Sequence, residues 1–132
     1  MATIQIPLGD DKVIVHRFMD EVGAPYNLTG ASVYWRLKAD RQDTDANAVL
    51  TKTWLAGVES GLSLTNPETA AVLTAADGIL YNRITPVQGT ALTADKQYLY
   101  DVKITDTLGF VRTLESGTLT VMSASEQAEA SF

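Results

Sequence analysis

The chain has 132 residues, of which 45% are hydrophobic and 20% charged, with no cysteine and a formal net charge of −6. That length holds one domain, which buries roughly two-thirds of its unfolded surface and needs neither a metal nor a disulfide to be stable. The missing thiols exclude disulfide frameworks, thiolate metal sites and cysteine nucleophiles, and a pI near 4.6 with ten scattered basic residues argues against nucleic acid as a partner.

Met1 to Pro7 has neither the charged start nor the apolar core of a secretory signal, and no window reaches membrane-spanning length. No membrane partner is expected, and the starting location is the cytoplasm of the producing cell. Residues 1–11 read as an N-terminal arm. Lys12 to Met19 (KVIVHRFM) is short and β-branched and runs into Asp20–Pro25, which carries Gly and Pro at turn spacing, so it reads as a strand. Ser32 to Lys38 (SVYWRLK) alternates: Val33, Trp35 and Leu37 face the core, and Ser32, Tyr34, Arg36 and Lys38 face water. Ala39 to Asn47 is a polar loop. Ala48 to Trp54 and Gly61 to Leu64 are shorter strands around a Gly57–Gly61 turn region. Asn66-Pro67-Glu68 carries helix-start chemistry, and Thr69 to Ala76 fits either one or two helical turns or an edge strand. Asp77-Gly78 introduces a strand at Ile79–Ile84, and Pro86–Asp95 connects it to Tyr98.

The last third carries the strongest pattern. Tyr98, Tyr100, Val102 and Ile104 share one face of a strand, Asp106 to Gly109 supplies turn chemistry, and the chain returns through Gly109–Leu114 and Glu115–Met122 as a hairpin. Val33, Trp35, Leu37, Tyr100, Val102 and Ile104 are expected to be buried together. About seven strands separated by turn signals predict an all-β, immunoglobulin-like antiparallel β-sandwich over residues 12–122, with 123–132 as a C-terminal tail.

Two blocks carry a family resemblance. Gly23-Ala24-Pro25-Tyr26-Asn27-Leu28-Thr29-Gly30-Ala31-Ser32-Val33 and Tyr98-Leu99-Tyr100-Asp101-Val102, the latter followed by Gly109 and Gly117-Thr118-Leu119-Thr120-Val121, resemble the immunoglobulin-like domains of tailed-bacteriophage virion proteins. The likeness is to the N-terminal domain family of phage baseplate upper proteins and its stand-alone relatives, and it runs from Lys12 to Met122. It implies a structural role in the virion, in the tail or baseplate, with other virion proteins as partners and assembly into a homo-oligomer or ring. The chain runs only to Phe132, so the receptor-facing or fibre domain of the multidomain members is expected to be missing, which leaves the position on the particle open. A capsid decoration protein and a carbohydrate-binding or adhesion module are the alternatives.

Physical reasons accompany the structural positions. Leu28 can plug one end of a sandwich, and Gly30 permits the bend into the Trp35 strand. The Tyr98 phenol can bond back to the connector before it, as in a tyrosine corner. Gly109 and Gly117 complete the set of turn and core positions. Ile4 and Ile6 in the arm, Trp54, and Phe132 in the tail are candidate interface residues, the arm and tail acting as clasps.

The chemical constellations are weak. Asp43-Thr44-Asp45-Ala46-Asn47 has the spacing of half a calcium loop, but Ala48 and Trp54 occupy the places that require Gly and Glu, so a solvated turn is favoured and no metal or other cofactor is expected. His16 is the only histidine, with no nucleophile elbow to serve. Ser60 lacks the elbow spacing. Asp10, Asp11, Asp20 and Glu21 sit at loop ends without an aromatic platform for glycoside chemistry. No catalytic residue is assigned.

Overall fold

The computed structural model describes residues 2–7, 10–40, 42–44, 47–90 and 92–122. Among the described residues, nine strands form two sheets. The larger runs β1 (Ala2–Pro7), β9 (Val111–Met122), β8 (Gln97–Thr105), β3 (Ser32–Lys38), β4 (Leu50–Leu55), β5 (Val58–Ser60); the smaller runs β2 (Lys12–Arg17), β7 (Ile79–Ile84), β6 (Leu62–Ser63). All pairings between these strands are antiparallel except β1 with β9. This is the expected immunoglobulin-like β-sandwich. β4 and β5 widen the larger sheet beyond β3, as in variable-type domains.

The period-two pattern decides which faces meet. In β3, Val33, Trp35 and Leu37 have no accessible surface, and their antiparallel partners in β8 alternate in step, with Tyr100, Val102 and Ile104 buried at 0–3%. Trp35 and Tyr100 sit with ring centroids 6.0 Å apart across that pairing. The smaller sheet closes the core with Ile14, Leu80 and Ile84.

The β8–β9 turn shows how local chemistry sets register. Asp106 Oδ1 accepts the N–H groups of Leu108 and Phe110 at 2.9 and 3.0 Å, and Gly109 adopts φ +88°. A bulge follows: Val102 pairs with Glu115 but Lys103 pairs with Thr113, so Leu114 is the extra residue. Glu115 faces the core opposite Val102 in step with Gly117 and Leu119, and the extra residue then shifts the alternation so that Arg112 comes to the core side of the sheet opposite Ile104.

Several expectations need correction. Ala2–Pro7 is not an arm but strand β1, with its six residues in register with Gly117–Met122. Ile6 is 1% exposed and Ile4 packs against the core, so neither is offered to a neighbour; the alternation of Ile4 and Ile6 is the ordinary signature of a half-buried strand. Trp54 is likewise interior, at 2% exposure. The Gly57–Gly61 turn region contains β5, which with β1 raises the strand count above the expected seven. No helix starts at Asn66. Its side chain instead accepts Glu68 N–H at 2.9 Å in a local turn, Thr65 bridges Val72, and a 3-10 turn forms later, at Ala75–Asp77, capped by Thr74.

The connector contains the short helix α1 (Pro86–Thr90). Thr85 and Gln88 cap it reciprocally, with Gln88 N–H donating to Thr85 Oγ1 at 3.2 Å and Thr85 N–H donating to Gln88 Oε1 at 3.1 Å.

Candidate contact surface

Register brings four connections to one end of the sandwich. Ser32 at the start of β3 pairs with both Leu55 and Thr105, and Arg17 at the end of β2 pairs with Ile79. The β2–β3 loop, the β4–β5 turn, the segment before β7 and the β8–β9 turn are therefore neighbours. Phe18 N–H donates to Gly78 O at 2.8 Å, Leu28 N–H to Ala75 O at 2.9 Å, and Ala56 N–H to Ala31 O at 3.0 Å.

The structural positions hold this end together. Leu28 has no exposed surface. Gly30 has φ +75°, and a Cβ there would stand 2.9 Å from Thr107 Cγ2, so this glycine lets the β2–β3 loop approach the β8–β9 turn. Gly78, which sequence reasoning did not single out, is tighter: with φ +68°, its Cβ would meet Phe18 O and Tyr26 O at 2.8 Å. At the far end, Thr93 N–H donates to the Tyr98 phenol at 2.7 Å, tying the strand to its connector. Gly117 lies buried in β9 between Tyr100 and Ala2. Phe132 lies outside the described residues.

Apolar side chains are exposed at the four-loop end: Met19, Val22, Leu108, Phe110 and Val111 are each 60–86% accessible. Beside them runs a groove of about 400 Å³ lined by Met19, Asp20, Glu21, Val22, Tyr26, Arg112 and Leu114. The bulge explains why β9 contributes Arg112 and Leu114 to that wall.

The titratable groups that could suggest chemistry are occupied structurally. His16 is 1% exposed; Nδ1–H donates to Glu115 Oε2 at 3.3 Å, and Nε2 lies 3.4 Å from Asn82 Nδ2. Tyr100 donates to Glu115 Oε1 at 2.9 Å. Burial alone raises the Glu115 carboxyl, but the His16 hydrogen bond and attraction, with the Tyr100 bond, carry it below the ordinary glutamate value. Burial, and then Glu115, push the Tyr100 phenol upward. This cluster spans the sheets, since His16 and Asn82 come from the smaller and Tyr100 and Glu115 from the larger. Sequence reasoning missed it because Glu115 meets His16 across the two sheets, 99 residues away in the chain.

Lys52 is a second buried polar group. Its ammonium donates to Arg83 O at 2.7 Å and Gln88 Oε1 at 2.9 Å, and burial pushes its pKa down to about 8. Its stem occupies the space a Cβ on Gly61 would need.

The paired-carboxylate constellation is dispersed. Asp11 precedes β2 and pairs with Arg83 at 2.9 Å, whereas Asp20 follows β2 and accepts Val22 and Ala24 N–H groups at 3.0 and 2.9 Å. Asp45 and Ala46 of the half calcium loop lie outside the described residues, and among the described ones no group of three His, Asp or Glu side chains gathers to hold a metal. Ser60 is exposed at the end of β5. Among the described residues no helix is long and apolar enough to cross a membrane.

No family model and no curated protein matches the chain. Among solved structures it is similar to extracellular domains 3–5 of Drosophila OTK, at 13% identity and TM-score 0.41 over 93% of this chain and 34% of that one. It is also similar to a chain in the structure of ICOS with ICOS-L and an anti-ICOS-L VNAR domain, at 18% identity and TM-score 0.37, covering 91% of this chain and 53% of that one. This chain thus spans about a third to a half of the length of those neighbours.

Proposed function

We propose that this protein is a non-enzymatic structural component of a tailed-phage virion, in the tail or baseplate region, acting through contacts with other virion proteins and with copies of itself. The observation that carries a contact role is the four-loop end, where exposed Met19, Val22, Leu108, Phe110 and Val111 border an open groove. Exposed apolar side chains gathered in one place mark interaction sites on soluble proteins. The one histidine is buried with a partner at each ring nitrogen, which leaves it no open face toward a substrate. The virion location rests on the family resemblance of the Gly23–Val33 and Tyr98–Val121 blocks.

The aromatic distribution favours protein contact over sugar binding. Trp35 and Trp54 are interior, while Tyr26, Tyr34 and Tyr81 are only partly exposed and belong to a loop, the larger sheet and the smaller sheet respectively. Sugar platforms need exposed rings set side by side.

A mass-spectrometric inventory of purified virions, with heads and tails separated, tests the reading. The chain is expected in the tail fraction. Recovery with heads instead would make it a decoration protein, and absence from virions would overturn the structural role.

A further inference from the structure

Strand β1 covers only half of the β9 edge. Its register runs from Ala2 opposite Gly117 to Pro7 opposite Met122. Val111–Ser116 therefore has β8 on one side and, among the described residues, no strand on the other. A strand in that position leaves main-chain N–H and C=O groups open to an added extended segment.

The uncovered half also borders the groove. Arg112 and Leu114, turned to the core side by the bulge, form one wall, and Met19, Val22 and Tyr26 of the β2–β3 loop form the other. Every second side chain of a segment added along Val111–Ser116 would project into that groove. Edge and groove make one seat, continuous with the position that β1 already occupies.

Charge selects the occupant. Asp20 and Glu21 stand on the rim, and Arg112 lies 3.9 Å from Asp106, which offsets it. A second copy would bring the same acidic rim on a chain of net charge −6. The chain's own Ser123–Phe132 segment carries Glu126 and Glu129 and no Lys or Arg. Both meet like charge. The geometry points to a segment of a different protein, extended, apolar at alternate positions and flanked by Lys or Arg, added as a strand to Val111–Ser116 with its apolar side chains in the groove. This rests on the contact-protein reading, but the two can fail separately: the virion inventory reads location, and a peptide titration of the isolated full chain reads the seat.

The probe is the synthetic peptide KTVTVTK, which places Lys, Val, Val and Lys on one side, with ETVTVTE as its acidic counterpart, titrated against the isotope-labelled full chain by amide NMR. KTVTVTK is expected to shift the amides of Val111–Ser116 together with those of Met19–Val22, and ETVTVTE to bind about tenfold more weakly. Leu114→Lys, which puts a cation in the groove wall, should weaken KTVTVTK about tenfold, and Glu21→Lys, on an exposed loop that leaves the fold alone, about threefold. Unchanged amides in both segments, shifts confined to the β5 edge at Val58–Ser60, or equal binding of the two peptides would each overturn the proposal. So would concentration-dependent shifts at Val111–Ser116 without peptide, because a second copy would then hold the seat.

Discussion

Replacing Glu115 by alanine removes the carboxylate that ties the sheets together through His16 and Tyr100. The Tyr100 bond at 2.9 Å is well formed, whereas the His16 contact at 3.3 Å is long. Hydrogen bonds to a charged group contribute about 1.5–3 kcal/mol each, and the long contact belongs at or below the bottom of that range. After truncation the hydroxyl of Tyr100, a residue 3% exposed, and the ring of His16, 1% exposed, lose an acceptor, while the partial exposure of Glu115 (27%) lets water replace some of what is lost. The expected cost is about 2–4 kcal/mol in urea denaturation at pH 7. In a double-mutant cycle with Tyr100→Phe, the coupling should be about 1 kcal/mol, because the two changes remove a shared bond. The pH dependence has a definite sign. The folded carboxyl titrates below its unfolded value, so its stabilisation is present above the ordinary glutamate range and lost as pH falls through the lowered folded value. Glu115→Gln should flatten that acid limb. A cost for Glu115→Ala under about 0.5 kcal/mol, or a coupling near zero, would refute the account of the bridge.

Other perturbations probe separate parts of the fold. Trp35→Ala, at a site with no exposed surface, should cost about 3–5 kcal/mol by chemical denaturation; a loss below about 1 kcal/mol would contradict the packing of β3 on β8. Deleting residues through Pro7 removes buried Ile6 and the β1 pairing, so the truncated chain should lose at least about 3 kcal/mol in the same assay, where a free arm would cost nothing. Lys52 gives an alkaline signature: between its folded value of about 8 and the unfolded 10.5, the unfolded chain holds the extra proton, so stability should rise by about 1–2 kcal/mol from pH 8 to 10, and Lys52→Met should abolish the rise. Gly30→Ala should destabilise by about 1–2 kcal/mol in thermal melts, because alanine there meets both a positive φ and Thr107.

Alternation of side chains determined the core by itself. A strand such as Ser32–Lys38 has two faces, and only one arrangement of Val33, Trp35 and Leu37 against Tyr100, Val102 and Ile104 keeps both apolar rows out of water. The Asp106–Gly109 turn was equally legible, since its hydrogen bonds lie within five residues. What depends on distant pairing was not. The same alternation in Ala2–Pro7 fits a clasp on a neighbour or a strand at home, and only the edge offered by Gly117–Met122 chose between them. Trp54 was open to either side until its partner strand set the face. The candidate contact surface is tertiary throughout: one extra residue at Leu114 turns Arg112 and Leu114 into the groove, beside a Glu115 whose partner His16 is 99 residues away in the chain. No local pattern encodes such a shift, because a bulge is a property of two strands in register and not of either one alone.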